Sequence, residues 1–432
     1  MRMPIRFLAG LSSAMAAAAP ASAGDGAWTG SRLLALVDGD MAATAYADGK
    51  LHPIGGAADT LYILDPEAGR IIAQVPVSNT VMGWPGSLAT SADGRFAYVV
   101  TSRGGVARDL RDADDVFDAI PPARTITTIN LEEGAVLSTL DACHMPKSVD
   151  IAPDDGWLLV ACGTDKGEIA IVPLLDGLPQ APQSIDLTVP AFAARERDEG
   201  ATFAAIRPDG AAGAVVLGNQ AVAALSFKLG ADGAPVAARA GPPLRVDRWL
   251  SVARWTNDGS ALIVADVAWG PKSIDAALNG SGSLVAYAFA ADGSAREASE
   301  AAVSKSPEAF GVSRDGRLAV AVNMERTYLP GGLTSILPGR NASSASLVSI
   351  ENGTIRTLGE RVAFRGVLPE DAVFDADGDT VAIAVYQDHG DPRSDGWIEF
   401  FRLVGEGDAR RIEPADRRIR LPRGVHDLAA ID

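Results

Sequence analysis

The chain has 432 residues, 47% of them hydrophobic and 22% charged, with 45 Gly and 26 Pro, a balance that excludes an extensively disordered protein. Its formal net charge of −17 argues against nucleic acid and anionic membranes as partners, because phosphate binding needs a basic footprint. The length allows one large domain or two to three ordinary ones, so internal repeats decide the organisation.

The N-terminus has the layout of a secretory signal. Arg2 and Arg6 precede an apolar run from Phe7 to Ala19, and Ala21-Ser22-Ala23 offers a small-residue cleavage site. The run is shorter than the roughly 20 apolar residues of a membrane span. Residues 1–23 are therefore expected to be a signal peptide, and 24–432 a single exported domain, periplasmic or secreted, with no membrane insertion. The two cysteines, Cys143 and Cys162, would then meet an oxidising compartment. They flank one predicted hairpin and are expected to form a disulfide, the alternative being two buried thiols. Hairpin register sets Cys162 near Lys147, so Cys143 would have to curl back to reach it.

A short pattern recurs along the rest of the chain: an apolar run, an Asp/Gly turn, a second apolar run. The copies centre on Asp93-Gly94, Asp155-Gly156, Asp209-Gly210, Asp258-Gly259, Asp315-Gly316 and Asp377-Gly378. Asp-Gly between β-type runs is a strong hairpin signal, since Gly takes the positive-φ position at little cost. The chain ends supply a seventh copy in two halves. Pro422 to Asp432 matches the first strand of the unit, and Ser31 to Val37 matches the second. Pairing them closes a ring and removes exposed sheet edges. Two more strands lie between turns, as in Thr60–Leu64 and Ile71–Val75. No sustained helical period follows the first 23 residues. The fold class is all-β, a seven-bladed β-propeller with four-stranded antiparallel blades.

The turn pattern followed by an apolar Tyr-Val run, as in Ser91-Ala-Asp-Gly-Arg-Phe-Ala-Tyr-Val-Val100, with Pro eight residues before the Asp, resembles the seven-bladed YVTN and lactonase-type propellers. That resemblance spans nearly the whole chain after residue 23. It implies the fold, and a family range that includes sugar lactonases, quinone-dependent dehydrogenase subunits, haem-carrying reductases and binding scaffolds. Fold alone does not choose among them.

Residues in excess of a minimal blade gather after the second strand of several units: Asp38 to Ala58, Thr101 to Arg124, Asp266 to Gly282, Asn323 to Ser344 and Tyr386 to Gly396. In a propeller these loops open on one side of the disc, which is expected to be the working face. The first holds His52. The second carries Arg108, Asp109, Arg111, Asp112, Asp114 and Asp115 without the spacing of a calcium-binding EF loop. The fourth, with Asn323, Glu325, Arg326 and Tyr328, is placed to cap the channel.

Pseudo-symmetry supplies the site candidates. One residue after the recurring Pro position stand Gly86, Lys147, Thr202, Ser251, Glu308, Glu370 and Arg423. The ligand-binding set expected at the channel mouth is Lys147, Glu308, Glu370 and Arg423, with His144 on the loop leading into it. Lys147 and Arg423 suit anionic groups; Glu308, Glu370 and His144 are the candidates for acid–base or metal-ligand work. The competing reading is a water-filled ring of internal ion pairs. His426, Asp150 and Arg254 lie deeper and read as satisfied polar contacts.

No Cys-x-x-Cys-His occurs, so c-type haem is not expected. A His/Cys zinc site, a Gly-x-Ser-x-Gly elbow, a phosphate loop and His-Glu-x-x-His are likewise missing. Calcium remains open as a cofactor, because separate blades can supply oxygen ligands. The sequence thus points first to an exported propeller that binds a protein or small polar ligand on its loop-rich face. A metal-assisted hydrolase of sugar-type lactones comes second, and an accessory subunit of a periplasmic redox system third.

Overall fold

The computed structural model describes residues 27–40, 52, 57–78, 83–105, 120–163, 168–187, 200–231, 233–270, 273–329, 336–389, 391 and 393–431. The proposed signal peptide and the acidic stretch from Arg108 to Asp115 lie outside the described residues.

Seven antiparallel sheets form the ring. Blade 1 comprises Leu88–Thr90, Phe96–Arg103, Pro122–Asn130 and Ala135–Asp141, and blade 2 starts with Pro146–Ile151, Trp157–Cys162 and Ile169–Leu175. Blades 3 to 6 begin with the inner strands Ala201–Ile206, Leu250–Trp255, Pro307–Val312 and Val367–Phe374. Blade 7 is the composite: its inner strand Val425–Ile431 pairs antiparallel with Arg32–Val37, followed by Thr60–Asp65 and Arg70–Pro76. The chain ends thereby close the ring as their sequence predicts.

Burial follows strand position. Second strands such as Trp157–Cys162 and Leu318–Asn323 are buried throughout, because both faces pack against neighbouring blades. Outer strands such as Ala135–Asp141 largely face solvent. The core is the apolar filling between blades, largest across blades 3 to 6.

In blades 1, 4 and 5 the Asp of the turn has a physical role. Asp93 Oδ1 accepts from Ser91 Oγ at 2.7 Å and from Arg95 N at 3.0 Å, and Asp258 and Asp315 repeat the arrangement. Gly94 supplies the left-handed residue at φ +67°. In blade 2 the phase differs: Asp154 makes the turn bond to Gly156 N, and Asp155 takes the positive φ of 55°.

Cys143 and Cys162 are joined, with Cα atoms 6.1 Å apart. Pro146 pairs with Cys162 in the hairpin. Met145, at φ 46°, turns the chain back so that Cys143 can reach its partner.

Candidate functional site

Each inner strand of blades 2 to 6 carries a register shift near its start: Pro146/Ser148, Ala201/Phe203, Leu250/Ala253, Pro307/Ala309 and Pro369/Ala372. One extra residue on the inner strand is a β-bulge, which re-aims a side chain locally. The bulge falls on the pseudo-symmetric position, at Lys147, Thr202, Ser251, Glu308 and Glu370.

The loop-rich mouth of the channel is covered. Trp84, leading into blade 1, and Trp269, from the insertion after the second strand of blade 4, have ring centroids 5.6 Å apart. Trp269 and Tyr328 follow at 5.1 Å. Blades 1 and 4 stand across the ring from each other, so this contact bridges the channel axis. Polar bonds anchor the cover. Tyr328 OH donates to Ala276 O at 2.8 Å, and Trp269 Nε1 donates to Ser306 Oγ at 2.9 Å. The Arg326 guanidinium donates to the carbonyls of Ala277, Asn279 and Pro338 at 2.9, 2.8 and 3.1 Å. Apolar packing of Met324, Leu329, Val367 and Leu368 fills the space around them. Among the described residues, the expected cap from Asn323 onward lies over the mouth.

Beneath the cover Glu308, Glu370 and His426 meet, one from each of blades 5, 6 and 7, all buried. His426 Nδ1 lies 3.2 Å from Glu370 Oε2, and Glu308 hydrogen-bonds Glu370. Burial pushes both glutamates well above the usual carboxylate range, and for Glu308 the neighbouring Glu370 charge adds to it. Burial also lowers the His426 imidazole, favouring its neutral form. Glu308 Oε2 and His426 Nε2 find no hydrogen-bond partner among the described residues.

One level further down lies a second acid pair. Asp427 Oδ2 accepts from Gly86 N at 2.8 Å and Leu88 N at 3.1 Å. Asp371 hydrogen-bonds Asp427 and accepts from Leu428 N at 3.2 Å and from Arg254 Nη2 at 3.3 Å. Burial, opposed by Arg254 and reinforced by Asp427, pushes Asp371 up to about 7. Arg254 Nε donates to Phe310 O at 2.9 Å, and Asp150 Oδ2 accepts from Ile206 N at 2.7 Å. Side chains of one inner strand thus bond the backbone of the next, fastening blade to blade.

The expected four-charge mouth divides. Glu308 and Glu370 come together, with His426 joining them. Arg423 is buried near Tyr386, Asp38 and Asp40, and its ionisation is lowered first by burial. Lys147 and His144 stand half-buried on blade 2, with blades 3 and 4 between them and Glu308. The sequence reading missed the Asp371–Asp427 pair. Its signal was an Asp directly after another polar residue near the start of two successive inner strands, Glu370-Asp371 and His426-Asp427. Arg254 makes the polar contacts expected of it, whereas His426 is satisfied only at Nδ1, by Glu370, and its Nε2 is left without a partner among the described residues.

For a metal, Asp38, Asp40 and Asp59 bring carboxylate oxygens within 4.8 Å of one another, near Arg423. Oxygen-only ligands suit calcium or magnesium, although Asp59 Oδ1 already accepts from Gly39 N at 3.0 Å.

Among the described residues no helix is long and apolar enough to cross a membrane. No protein-family model matches the sequence, and no curated protein does. Solved structures do. A candidate 6-phosphogluconolactonase from Bacteroides fragilis is 16% identical, with 96% of this chain and 100% of that one covered at a TM-score of 0.58. The periplasmic gluconolactonase of Pseudomonas aeruginosa is 16% identical over 93% of this chain and 99% of its own, TM-score 0.59. A functionally unknown protein of Desulfotomaculum acetoxidans gives 11%, 93% and 99%, TM-score 0.57. At these identities the likeness is one of fold: the chain is a seven-bladed propeller of the shape that lactonase-like proteins share.

Proposed function

We propose that the chain is an exported binding propeller whose loop-rich face docks a protein partner. The observation that carries this reading is the anchored cover itself. It closes the channel on the face where the insertions gather, and it displays Ile274, Leu278 and Ile336 at 56%, 67% and 87% exposure. Large apolar groups on a hydrogen-bonded platform gain by burial against another surface. The acidic net charge favours a neutral or basic partner. Calcium at Asp38, Asp40 and Asp59 would stiffen the same face. The test compares proteins co-purifying from the host with the wild type, with an Ile274→Asp/Leu278→Asp/Ile336→Asp variant, and with an outer-rim Ile71→Asp/Ile72→Asp control. A partner kept by the wild type and the rim control and lost by the cover variant supports the reading. An identical set from all three contradicts it.

A second reading has its own observation. His426, whose burial favours the neutral imidazole, is oriented by Glu370 beside Glu308, whose burial favours the protonated acid, an acid–base set able to activate water and protonate a leaving oxygen. That chemistry fits a lactone, the substrate class named for the gluconolactonase neighbours. Proton release from a panel of sugar lactones, abolished by His426→Asn and by Glu308→Gln, is its expected result. No release by the wild type, with or without EDTA, would remove it.

A further inference from the structure

With the loop-rich mouth covered, the channel keeps a cavity of about 420 Å3 on its other side. Its lining includes Pro208 and Asn257, which belong to the Asp-Gly turns of blades 3 and 4, so it opens on the turn face. It reaches inward as far as Gly86 and Asp427, one level below the glutamate cluster. Its size falls among small-molecule sites, about 300–1,000 Å3.

We propose that this cavity is a binding site, reached from the turn face, for a small neutral molecule bearing several hydroxyl groups. The lining chemistry selects that class. Asp150 and Asp427 present carboxyl groups, and Arg254 presents a guanidinium with 35% of its side chain exposed. All three are held in place: Asp150 by Ile206 N, Asp427 by Gly86 N and Leu88 N, and Arg254 by Phe310 O and Asp371. An anion entering the cavity meets the fixed acids, and a cation gains little from carboxyl oxygens that already accept backbone N–H bonds while it meets the fixed guanidinium. An apolar molecule would strip water from all three without replacing its hydrogen bonds. A hydroxyl group both donates and accepts, so a polyol satisfies the acids and the guanidinium together. Phe203 and Trp255 add aromatic surface to the wall, suited to the C–H faces of a sugar ring. The inference stands apart from the partner surface and from the acid–base reading, since neither is needed for binding here.

The test is equilibrium binding of a panel of neutral monosaccharides and inositol, each compared with an amino sugar and a uronate of the same skeleton. At least one neutral member is expected to bind, with its charged counterparts weaker by about tenfold or more, some 1.4 kcal/mol. Arg254→Met is expected to weaken the neutral ligand by a similar factor. Both native cysteines are in the disulfide, so an introduced thiol can be labelled alone. A bulky maleimide on Pro208→Cys, at the turn-face opening, should block binding, while the same label on Ile336→Cys should leave it intact. If Arg254→Met fails to fold, the label pair decides. No binding by any neutral member, equal binding of a charged counterpart, or a block from Ile336→Cys alone would each overturn the proposal.

Discussion

Replacing Asp371 by Asn tests the electrostatics of the channel quantitatively. Asp371 is wholly buried and its carboxyl is pushed from 3.8 up to about 7. A raised folded-state value means that the folded chain keeps a proton which the unfolded chain has already released. The associated stability is complete below about pH 4 and is lost progressively up to pH 7. Each pH unit in that window is worth about 1.4 kcal/mol. From pH 4.5 to 7.5 the wild type should therefore lose about 3 kcal/mol relative to Asp371→Asn, whose uncharged carboxamide, like the protonated acid, pairs a donor group with a carbonyl acceptor. Glu308 and Glu370 titrate with the same sign in both proteins, and the variant removes only the Asp371 charge that acts on Glu370 and His426, a smaller effect than burial. The assay is urea unfolding followed by tryptophan fluorescence across that range, read as the difference between the two proteins. A difference constant within about 0.5 kcal/mol would refute the assignment and return Asp371 to an ordinary carboxyl.

The other predictions concern single features. Removing the disulfide as Cys143→Ser/Cys162→Ser should cost about 3 kcal/mol on the loop-closure model, seen as a lower urea midpoint; no change would mean that the hairpin already fixes the loop. Gly86 has φ +136°, and a Cβ there would meet Phe203 Cε2 at 2.5 Å. Gly86→Ala should therefore lose roughly 2–3 kcal/mol from strain and overpacking combined, measured by thermal melting. Burial holds the His426 imidazole below its ordinary value of 6.5, so the stability it contributes is present above pH 6.5 and is lost as pH falls from there through the lower folded value. His426→Gln should flatten this acid limb, and an unaltered limb would show that His426 is not its source.

The ring was legible because its determinants are local. Asp-Gly turns, paired apolar runs and the split seventh unit each report on a few neighbouring residues, and the closure Arg32–Val37 with Val425–Ile431 follows from them. The site was legible only in part. Counting from the recurring Pro identified equivalent positions in blades 2 to 6, where the bulged positions of blades 5 and 6 bring Glu308 and Glu370 together. In blade 7 the count fails: the register shift falls at His426, between Val425 and Asp427, so His426 and not Arg423 takes the equivalent place. The closure of the mouth depends on contacts between chain segments nearly two hundred residues apart, Trp84 with Trp269, which no local pattern encodes. The Asp371–Asp427 pair was hidden for the same reason: each Asp reads only as the second of two adjacent polar residues in its own strand, Glu370-Asp371 and His426-Asp427, until the two blades are set side by side.

The most direct test of the account is the comparison of partners retained from the host by the wild type, the cover variant at Ile274, Leu278 and Ile336, and the rim control at Ile71 and Ile72. The account predicts a protein held by the wild type and by the rim control and released by the cover variant, with all three melting alike. Equal retention by the three, or a wild type that retains nothing and instead opens sugar lactones, would contradict it.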